Sequence, residues 1–206
     1  MLQTLNLFDC HRVEELGPLS ACTMLQSLDL KSCLHVVELG PLAACTMLQT
    51  LNCSFCSQLA DLGPLSACSM LRTLICTMTL VSDLGPLSAC TMLQTLNISE
   101  CGEVEELGPL SACTMLRNLN CSCCPVAELG PLSACALLRN LNCTCTQVRS
   151  LSPLAACTAL ASLACDEWVP LEQVQHAQAA CGSLVVAQYK GLYELKVEHP
   201  ALHPTA

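Results

Sequence analysis

Leu28-Asp29-Leu30-Lys31-Ser32-Cys33-Leu34-His35-Val36-Val37-Glu38-Leu39-Gly40-Pro41-Leu42-Ala43-Ala44-Cys45-Thr46-Met47-Leu48-Gln49-Thr50-Leu51-Asn52 holds one full period of this chain and the start of the next. Its central phrase, Leu-Gly-Pro-Leu, begins at Leu16, Leu39, Leu62, Leu84, Leu107 and Leu129 and returns as Leu-Ser-Pro-Leu at Leu151, with spacings of 23, 23, 22, 23, 22 and 22 residues. A fixed period of this length marks a solenoid, in which a unit too small to bury its own apolar side stacks on its neighbours. Leu5-Asn6-Leu7, Leu28-Asp29-Leu30, Leu51-Asn52-Cys53, Leu96-Asn97-Ile98 and Leu119-Asn120-Cys121 alternate apolar and polar, as half-buried strands do. Every unit runs the same way round the coil, so the strands form a parallel sheet. Eight of them, the last around Leu163 to Cys165, predict a sheet roughly 34 Å wide at about 4.8 Å per strand. Each return leg starts at Gly17-Pro18 or a copy of it. Proline suits the first helical position, where its missing N–H costs nothing, and the few residues that follow allow only a 3₁₀ or brief α-helical turn.

Aligned, the units read Leu-x-x-Leu-x-Leu/Cys/Ile-x-x-Cys/Thr-x-x-Val/Leu-x-Glu/Asp-Leu-Gly-Pro-Leu-Ser-Ala-Cys-Thr-Met, which resembles the leucine-rich repeat over residues 1–168, about seven to eight units. The length of 22–23 residues and the short return leg resemble the phosphatase-regulator and internalin type. The recurring cysteines resemble the cysteine-containing repeats attached to F-box proteins, whose units are usually longer. The resemblance implies an α/β solenoid: a curved arc with a parallel sheet on the concave side and short turns on the convex side. It also implies a protein-interaction role, as scaffold, adaptor or regulatory subunit, with the partner on the concave face.

Composition narrows the function classes. Apolar types make up 52% of the 206 residues and aromatics 2%, so the core is built from Leu, Ala, Cys and Val. Seventeen acids against eight bases give a net charge of −9, which argues against a nucleic-acid partner, since a phosphate backbone calls for a basic face. The longest uncharged stretch, Leu39 to Ala60, carries Gly40-Pro41, Gln49, Asn52, Ser54, Ser57 and Gln58, a set that a lipid-facing helix would not hold together. No basic and then apolar leader follows Met1, so the expected location is intracellular and cytoplasmic. None of His11, His35, His176, His199 and His203 falls beside a Ser or Cys in a nucleophile arrangement, and no glycine-rich phosphate loop is present. The expectation is a protein that is not an enzyme and takes no cofactor.

Twenty cysteines sort into three ladders. Cys22, Cys45, Cys68, Cys90, Cys113, Cys135 and Cys157 end the return legs. Cys10, Cys33, Cys56, Cys101 and Cys124 occupy the turn after the strand, where many leucine-rich repeats place Asn to bond neighbouring backbone. Cys53, Cys76, Cys121, Cys143 and Cys165 stand where Leu7 and Leu30 do, as inward strand residues. Free Cys behaves as a small apolar residue, so the ladders read as core. Disulfides are the rival: equivalent residues lie about 4.8 Å apart, but parallel Cβ vectors would make bridging every rung a strain. A four-ligand zinc site would need Cys53-Ser-Phe-Cys56, Cys121-Ser-Cys123-Cys124 and Cys143-Thr-Cys145 to converge, which this frame does not allow. Cys123 and Cys145 are the exception. They are equivalent, adjacent and at an outer strand end, so a reactive or adventitious metal pair stays open there. A thiol-rich metal-binding or redox-buffering protein is accordingly the alternative function.

Three outward rows cross the sheet. The first is Thr4, Ser27, Thr50, Thr73, Thr95, Asn118, Asn140 and Ser162. The second is Asn6, Asp29, Asn52, Ile75, Asn97, Asn120, Asn142 and Ala164. The third is Phe8, Lys31, Ser54, Thr77, Ser99, Ser122, Thr144 and Asp166. From these we take Asn6, Phe8, Asp29, Thr50, Asn52, Thr95, Asn97, Asn118, Asn120, Asn140 and Asn142 as the candidate partner-binding face, because amides both donate and accept. The competing reading is that they only keep an exposed sheet wet and in register. The face lacks the Trp, Tyr and Arg that dominate binding hot spots, with Phe8 and Phe55 its candidate anchors. A second stripe, Glu15, Glu38, Asp61, Asp83, Glu106 and Glu128, precedes the Leu-Gly-Pro-Leu phrase. It suits either capping of the return leg or a basic partner.

The chain opens in mid-repeat, Met1-Leu2-Gln3-Thr4-Leu5 matching Met24-Leu25-Gln26-Ser27-Leu28, so missing N-terminal repeats or a capping partner are expected, as in a fragment. After Cys165 the pattern changes. Residues 169–195 are expected to form a C-terminal cap, with a helix over Leu171–Cys181 between Pro170 and Gly182, a strand from Leu184 to Ala187, and Trp168, Tyr189 and Tyr193 closing the core. Residues 196–206, with Pro200 and Pro204, are expected to be a disordered tail.

Overall fold

In the computed structural model, which describes residues 1–182 and 184–189, nine parallel strands stand in chain order in one open sheet. They are β1 (Thr4–Asn6), β2 (Ser27–Asp29), β3 (Thr50–Asn52), β4 (Thr73–Ile75), β5 (Thr95–Asn97), β6 (Asn118–Asn120), β7 (Asn140–Asn142), β8 (Ser162–Asp166) and β9 (Val185–Tyr189). Register follows the repeat, Leu5 against Leu28, Leu28 against Leu51, and so on to Leu141 against Leu163. The chain is thus an α/β leucine-rich repeat solenoid. The tail over 196–206, Tyr193 and the side chain of Tyr189 lie outside the described residues.

Each strand leads through a turn and an extended leg to a 3₁₀ segment of five residues: Gly17–Ala21, Gly40–Ala44, Gly63–Ala67, Gly85–Ala89, Gly108–Ala112, Gly130–Ala134 and Ser152–Ala156. Proline occupies the first turn of all seven. The expected capping by the acidic stripe holds at two rungs only. Asp61 and Asp83 accept the N–H groups of Gly63 and Gly85 at 2.6 Å, whereas the glutamates at the other rungs, one methylene longer, make no such bond. The last return leg is replaced by helix α1 (Leu171–Cys181). It stops at Gly182, whose φ of 59° is a left-handed conformation that costs glycine little.

The core is one continuous column of leucine and thiol. Leu28, Leu51, Leu74, Leu96, Leu119, Leu141 and Leu163 fill its strand side, and Leu42, Leu65, Leu87, Leu110, Leu132 and Leu154 its 3₁₀ side, all buried. Each buried Leu contributes about 2 kcal/mol of transfer free energy. The three thiol ladders lie in this column, the turn positions Cys33, Cys56, Cys101 and Cys124 included. All twenty cysteines are free thiols.

The thiols also bond. In the return-leg ladder each Sγ–H from Cys45 onward reaches back one repeat, Cys45 to the carbonyl of Leu19 at 3.4 Å, Cys90 to Leu65 at 3.4 Å and Cys157 to Leu132 at 3.2 Å. Cys181, at the end of α1, donates to the carbonyl of Cys157 at 3.4 Å and so adds a rung that the repeat spacing does not show. The turn ladder does the same, Cys33 to Leu7 at 3.1 Å, Cys56 to Leu30 at 3.3 Å and Cys124 to Ile98 at 3.0 Å. Where that ladder lacks a cysteine, Thr79 and Thr146 take the rung and donate to Cys76 and Cys143 instead.

The C-terminal end corrects two expectations. Trp168 is 42% exposed and does not close the core; Val169, Val174, Ala177, Cys181, Leu184 and Val186 bury there in its place. Asp166, expected on the outward third row, is 2% exposed. In repeats one to six the turn N–H donates to a carbonyl of the next repeat, as Asp9 does to Lys31 and Cys123 to Thr144, both at 2.9 Å. At the seventh, the Asp166 carboxylate accepts from Cys145 N at 2.8 Å and Thr146 N at 3.2 Å, and so ends the ladder. Burial pushes this carboxyl up, and the two N–H bonds oppose that.

Two predictions follow from burial. Desolvation holds the return-leg thiols Cys68, Cys90, Cys113, Cys135 and Cys157 protonated, each pushed up to about 11, and Cys56 and Cys124 to about 12. Above about pH 9 the unfolded chain releases these protons and the folded chain keeps them. Stability is therefore intact below that pH and lost as pH rises, by on the order of 1 kcal/mol per thiol per pH unit. Urea midpoints measured from pH 7 to 10.5 should fall steeply past pH 9. Separately, Asp166→Ala strands two buried N–H groups and should cost about 2 kcal/mol in the same assay, whereas Asp166→Asn, which keeps one acceptor, should cost less.

Candidate functional site: the concave sheet face

The strand geometry places Thr4, Thr50, Thr95, Asn118 and Asn140 in one row and Asn6, Asp29, Asn52, Asn97, Asn120 and Asn142 in the next, all on the solvent side of the sheet and partly or fully exposed. The second row has a specific local task. Asn6 Oδ1 accepts the N–H of Phe8 at 2.8 Å, Asp29 that of Lys31 at 2.9 Å, Asn52 that of Ser54 at 3.1 Å, and Asn97, Asn120 and Asn142 those of Ser99, Ser122 and Thr144. Each closes an Asx turn that bends the chain out of its strand. The acceptor of these side chains is therefore engaged within the repeat.

That turn explains why the third row does not face outward along its length. Ser54, Ser99 and Thr144 are buried, and Ser54 Oγ and Thr144 Oγ1 donate back to Asn52 and Asn142 at 2.7 and 2.9 Å. The residue after them holds a left-handed φ between 55° and 64° in seven consecutive repeats: Asp9, Ser32, Phe55, Met78, Glu100, Cys123 and Cys145. None is glycine. At about 1–2 kcal/mol each for a side chain in this region, the stacked neighbours hold a conformation that these residues would not choose alone.

Amide bonding between strands occurs in the first row. Asn118 Nδ2 donates to Thr95 Oγ1 at 3.1 Å and Asn140 Nδ2 to Asn118 Oδ1 at 2.6 Å, a short polar chain across β5, β6 and β7. At the opposite end Phe8, 52% exposed, and Phe55, 38% exposed, flank Lys31, whose Nζ lies 5.6 and 5.8 Å from the two ring centroids. This aromatic–cation–aromatic cluster joins three successive repeats. The structure adds a row that the alternation alone does not single out. Gln26, Gln49, Arg72, Gln94, Arg117 and Arg139 lead into the strands, partly or fully exposed, their carbonyls tied to the next repeat. Three arginines, Arg72, Arg117 and Arg139, thus stand one residue ahead of β4, β6 and β7. Their common period is legible in the sequence.

Among the described residues no group of three or more His, Cys, Asp or Glu converges as metal ligands do. No helix there is long and apolar enough to cross a membrane.

No protein-family profile matches this sequence, and no curated protein matches it. Solved structures do share its fold. The internalin InlF of Listeria monocytogenes matches at a TM-score of 0.79 and 21% identity, over 92% of this chain and 61% of its own. Internalin C2 of the same organism matches at 0.80 and 22% identity, over 90% and 80%. The functional domain of InlJ from Listeria monocytogenes, which includes a cysteine ladder, matches at 0.64 and 17% identity, over 85% and 41%. At these identities the likeness is one of fold, that of a leucine-rich repeat protein. This chain spans about three fifths of InlF and less than half of the InlJ domain.

The Asx row yields a direct test. Asn120→Ala removes the acceptor of the Ser122 N–H and should lower stability by about 1 kcal/mol. Asn120→Asp should be nearly silent, because Asp29 performs the same task one row end away. Thermal melts of the two variants beside the parent chain decide it.

Proposed function

We propose that the chain is a non-enzymatic protein-interaction module, a scaffold, adaptor or regulatory subunit that holds a protein partner on its concave face. The observation that carries this reading is the exposed Phe8–Lys31–Phe55 cluster together with the bordering Arg72, Arg117 and Arg139. On a surface otherwise made of small polar groups, these are the residue types that anchor interfaces. The chemistry of the face favours a partner segment with acidic groups for the arginine margin and apolar or aromatic groups for the phenylalanines. The Asn and Thr rows between would meet its backbone. The internalin-like fold supports the same coarse role.

At the first repeat Leu5, Leu7, Cys10, Val13 and Cys22 pack on the core but remain partly open, an apolar edge suited to a protein partner. Twenty free thiols favour a reducing compartment, and we place the chain in the cytoplasm. The thiol-buffer alternative finds little support in side chains that are buried, hydrogen-bonded to carbonyls and held protonated.

The test is a matched pair of charge insertions. Thr73→Arg and Asn140→Arg on the concave face should each weaken capture of bound proteins from a cell extract at least tenfold, by quantitative mass spectrometry. Ala134→Arg, exposed on the convex return leg Gly130–Ala134, should leave capture unchanged. Equal loss from both faces, or from neither, would remove the concave-face reading.

A further inference from the structure

Eighteen of the twenty cysteines belong to the three core ladders or, like Cys181, extend one of them. Cys123 and Cys145 do not. They hold the left-handed turn position, at φ 58° and 55°, in adjacent repeats, and they are the only cysteines among the seven residues that do so. Cys123 is exposed and Cys145 half-buried. The Cys123 thiol lies close enough to that of Cys145 to act on its titration. The backbone between them is fixed, with Cys123 N donating to Thr144 O at 2.9 Å and Cys145 N to the Asp166 carboxylate at 2.8 Å. Both line an open groove of about 520 Å³ with Pro125, Asp166 and Trp168, wide enough to admit a small molecule.

We propose that Cys123 and Cys145 are a thiol-modification site that reacts with a low-molecular-weight disulfide and closes to a reversible cross-repeat disulfide. The exposed Cys123, as thiolate, attacks one sulfur of the reagent. A protein–reagent mixed disulfide forms and one reagent thiolate leaves. Cys145 then gives up its proton to solvent and attacks Cys123 Sγ, and the second reagent thiolate leaves. The two protein thiols are oxidised by two electrons, and one small disulfide is reduced to two thiols.

Geometry permits the closure here. Equivalent positions on adjacent parallel strands lie about 4.8 Å apart, within the span that a disulfide bridges, and these side chains stand in an open turn rather than a packed column. Selectivity comes from the rest of the molecule. From the second repeat on, the ladder thiols are buried, and those of the return-leg and turn ladders donate to carbonyls, out of reach of a dissolved reagent. Exposure assigns the first attack to Cys123, and the half-buried Cys145 beside it resolves the mixed disulfide. Burial, the neighbouring thiol and the Asp166 charge push the Cys145 thiol up, which makes it the slower of the two to react with the reagent directly. The inference stands on these turns and is independent of where a protein partner binds.

The experiment uses the intact chain, folded, with glutathione disulfide as the probe at pH 8. The free-thiol count should fall from twenty to eighteen, and tryptic mapping should give one linked pair, 118–139 with 140–149, joined through Cys123 and Cys145. Dithiothreitol should restore both thiols. Cys145→Ser should stop at a mixed disulfide on Cys123, and Cys123→Ser should leave Cys145 unmodified. As a second measure, one equivalent of phenylarsine oxide, which needs two thiols within reach, should block both in the parent chain and neither in the variants. A mixed disulfide that persists at Cys123 in the parent, a link through Cys121, Cys124 or Cys143, or modification confined to the half-buried Cys10 and Cys22 would overturn the proposal.

Discussion

Everything in this molecule depends on the backbone of one repeat finding its hydrogen-bond partners in the next. A strand of three residues is far too short to stand alone. Its N–H and C=O groups are satisfied because an identical circuit of 22 or 23 residues brings the same groups alongside, at 2.7 to 2.9 Å from Leu7 N to Asp29 O through Cys143 N to Ala164 O. A buried backbone group without a partner costs about 1–3 kcal/mol, so any unit that departed from the circuit would expose two such rows. The left-handed turns show how strong the constraint is, since it holds Phe55 and Met78 in a conformation that glycine or asparagine would take more readily.

Thiol is well suited to this interior for two reasons. It is small and apolar enough to pack in a column between leucines. It also carries a weak donor that reaches a carbonyl of an adjacent repeat, the preceding one in the return-leg and turn ladders and the following one in the strand ladder, so the side chain bonds along the direction in which the backbone stacks. Where Thr79 and Thr146 stand in the turn ladder, the stronger hydroxyl donor bonds within its own repeat at 2.9 and 2.7 Å. The coil tolerates this because its neighbours still bridge. The same burial that makes the ladders structural makes their thiols inert, and chemistry is left to the two sulfurs that escape the column.

The face of the sheet is a compromise between building the solenoid and offering a surface. Asn97, Asn120 and Asn142 use their carbonyl oxygens to turn the chain, and only their amide N–H groups remain for a partner. In the proposed reading, grip falls to the larger side chains, the arginines ahead of the strands and the phenylalanines around Lys31. Amide rows set the register of whatever lies on them, and the few large side chains supply the contact area.

The repeat period, the parallel sheet, the 3₁₀ return legs and the leucine–thiol core were all legible in the sequence. Each follows from local rules that recur in register: alternation for Leu28-Asp29-Leu30, proline after glycine for the return leg, and a small apolar residue wherever cysteine recurs. The helix over Leu171–Cys181 was legible for the same reason, with Pro170 ahead and Gly182 behind. What only the tertiary structure decided are the places where a side chain answers to another repeat. Asp166 looked like one more outward residue but turns inward, because its carboxylate accepts the N–H groups of Cys145 and Thr146 while its backbone carbonyl accepts from Val169. Trp168 looked like a core plug, yet stays exposed because small residues of α1 and β9 already fill the end. Position within a repeat is local information, whereas the change of partners past β8 is not, and it is at that boundary that the fold chose differently from the pattern.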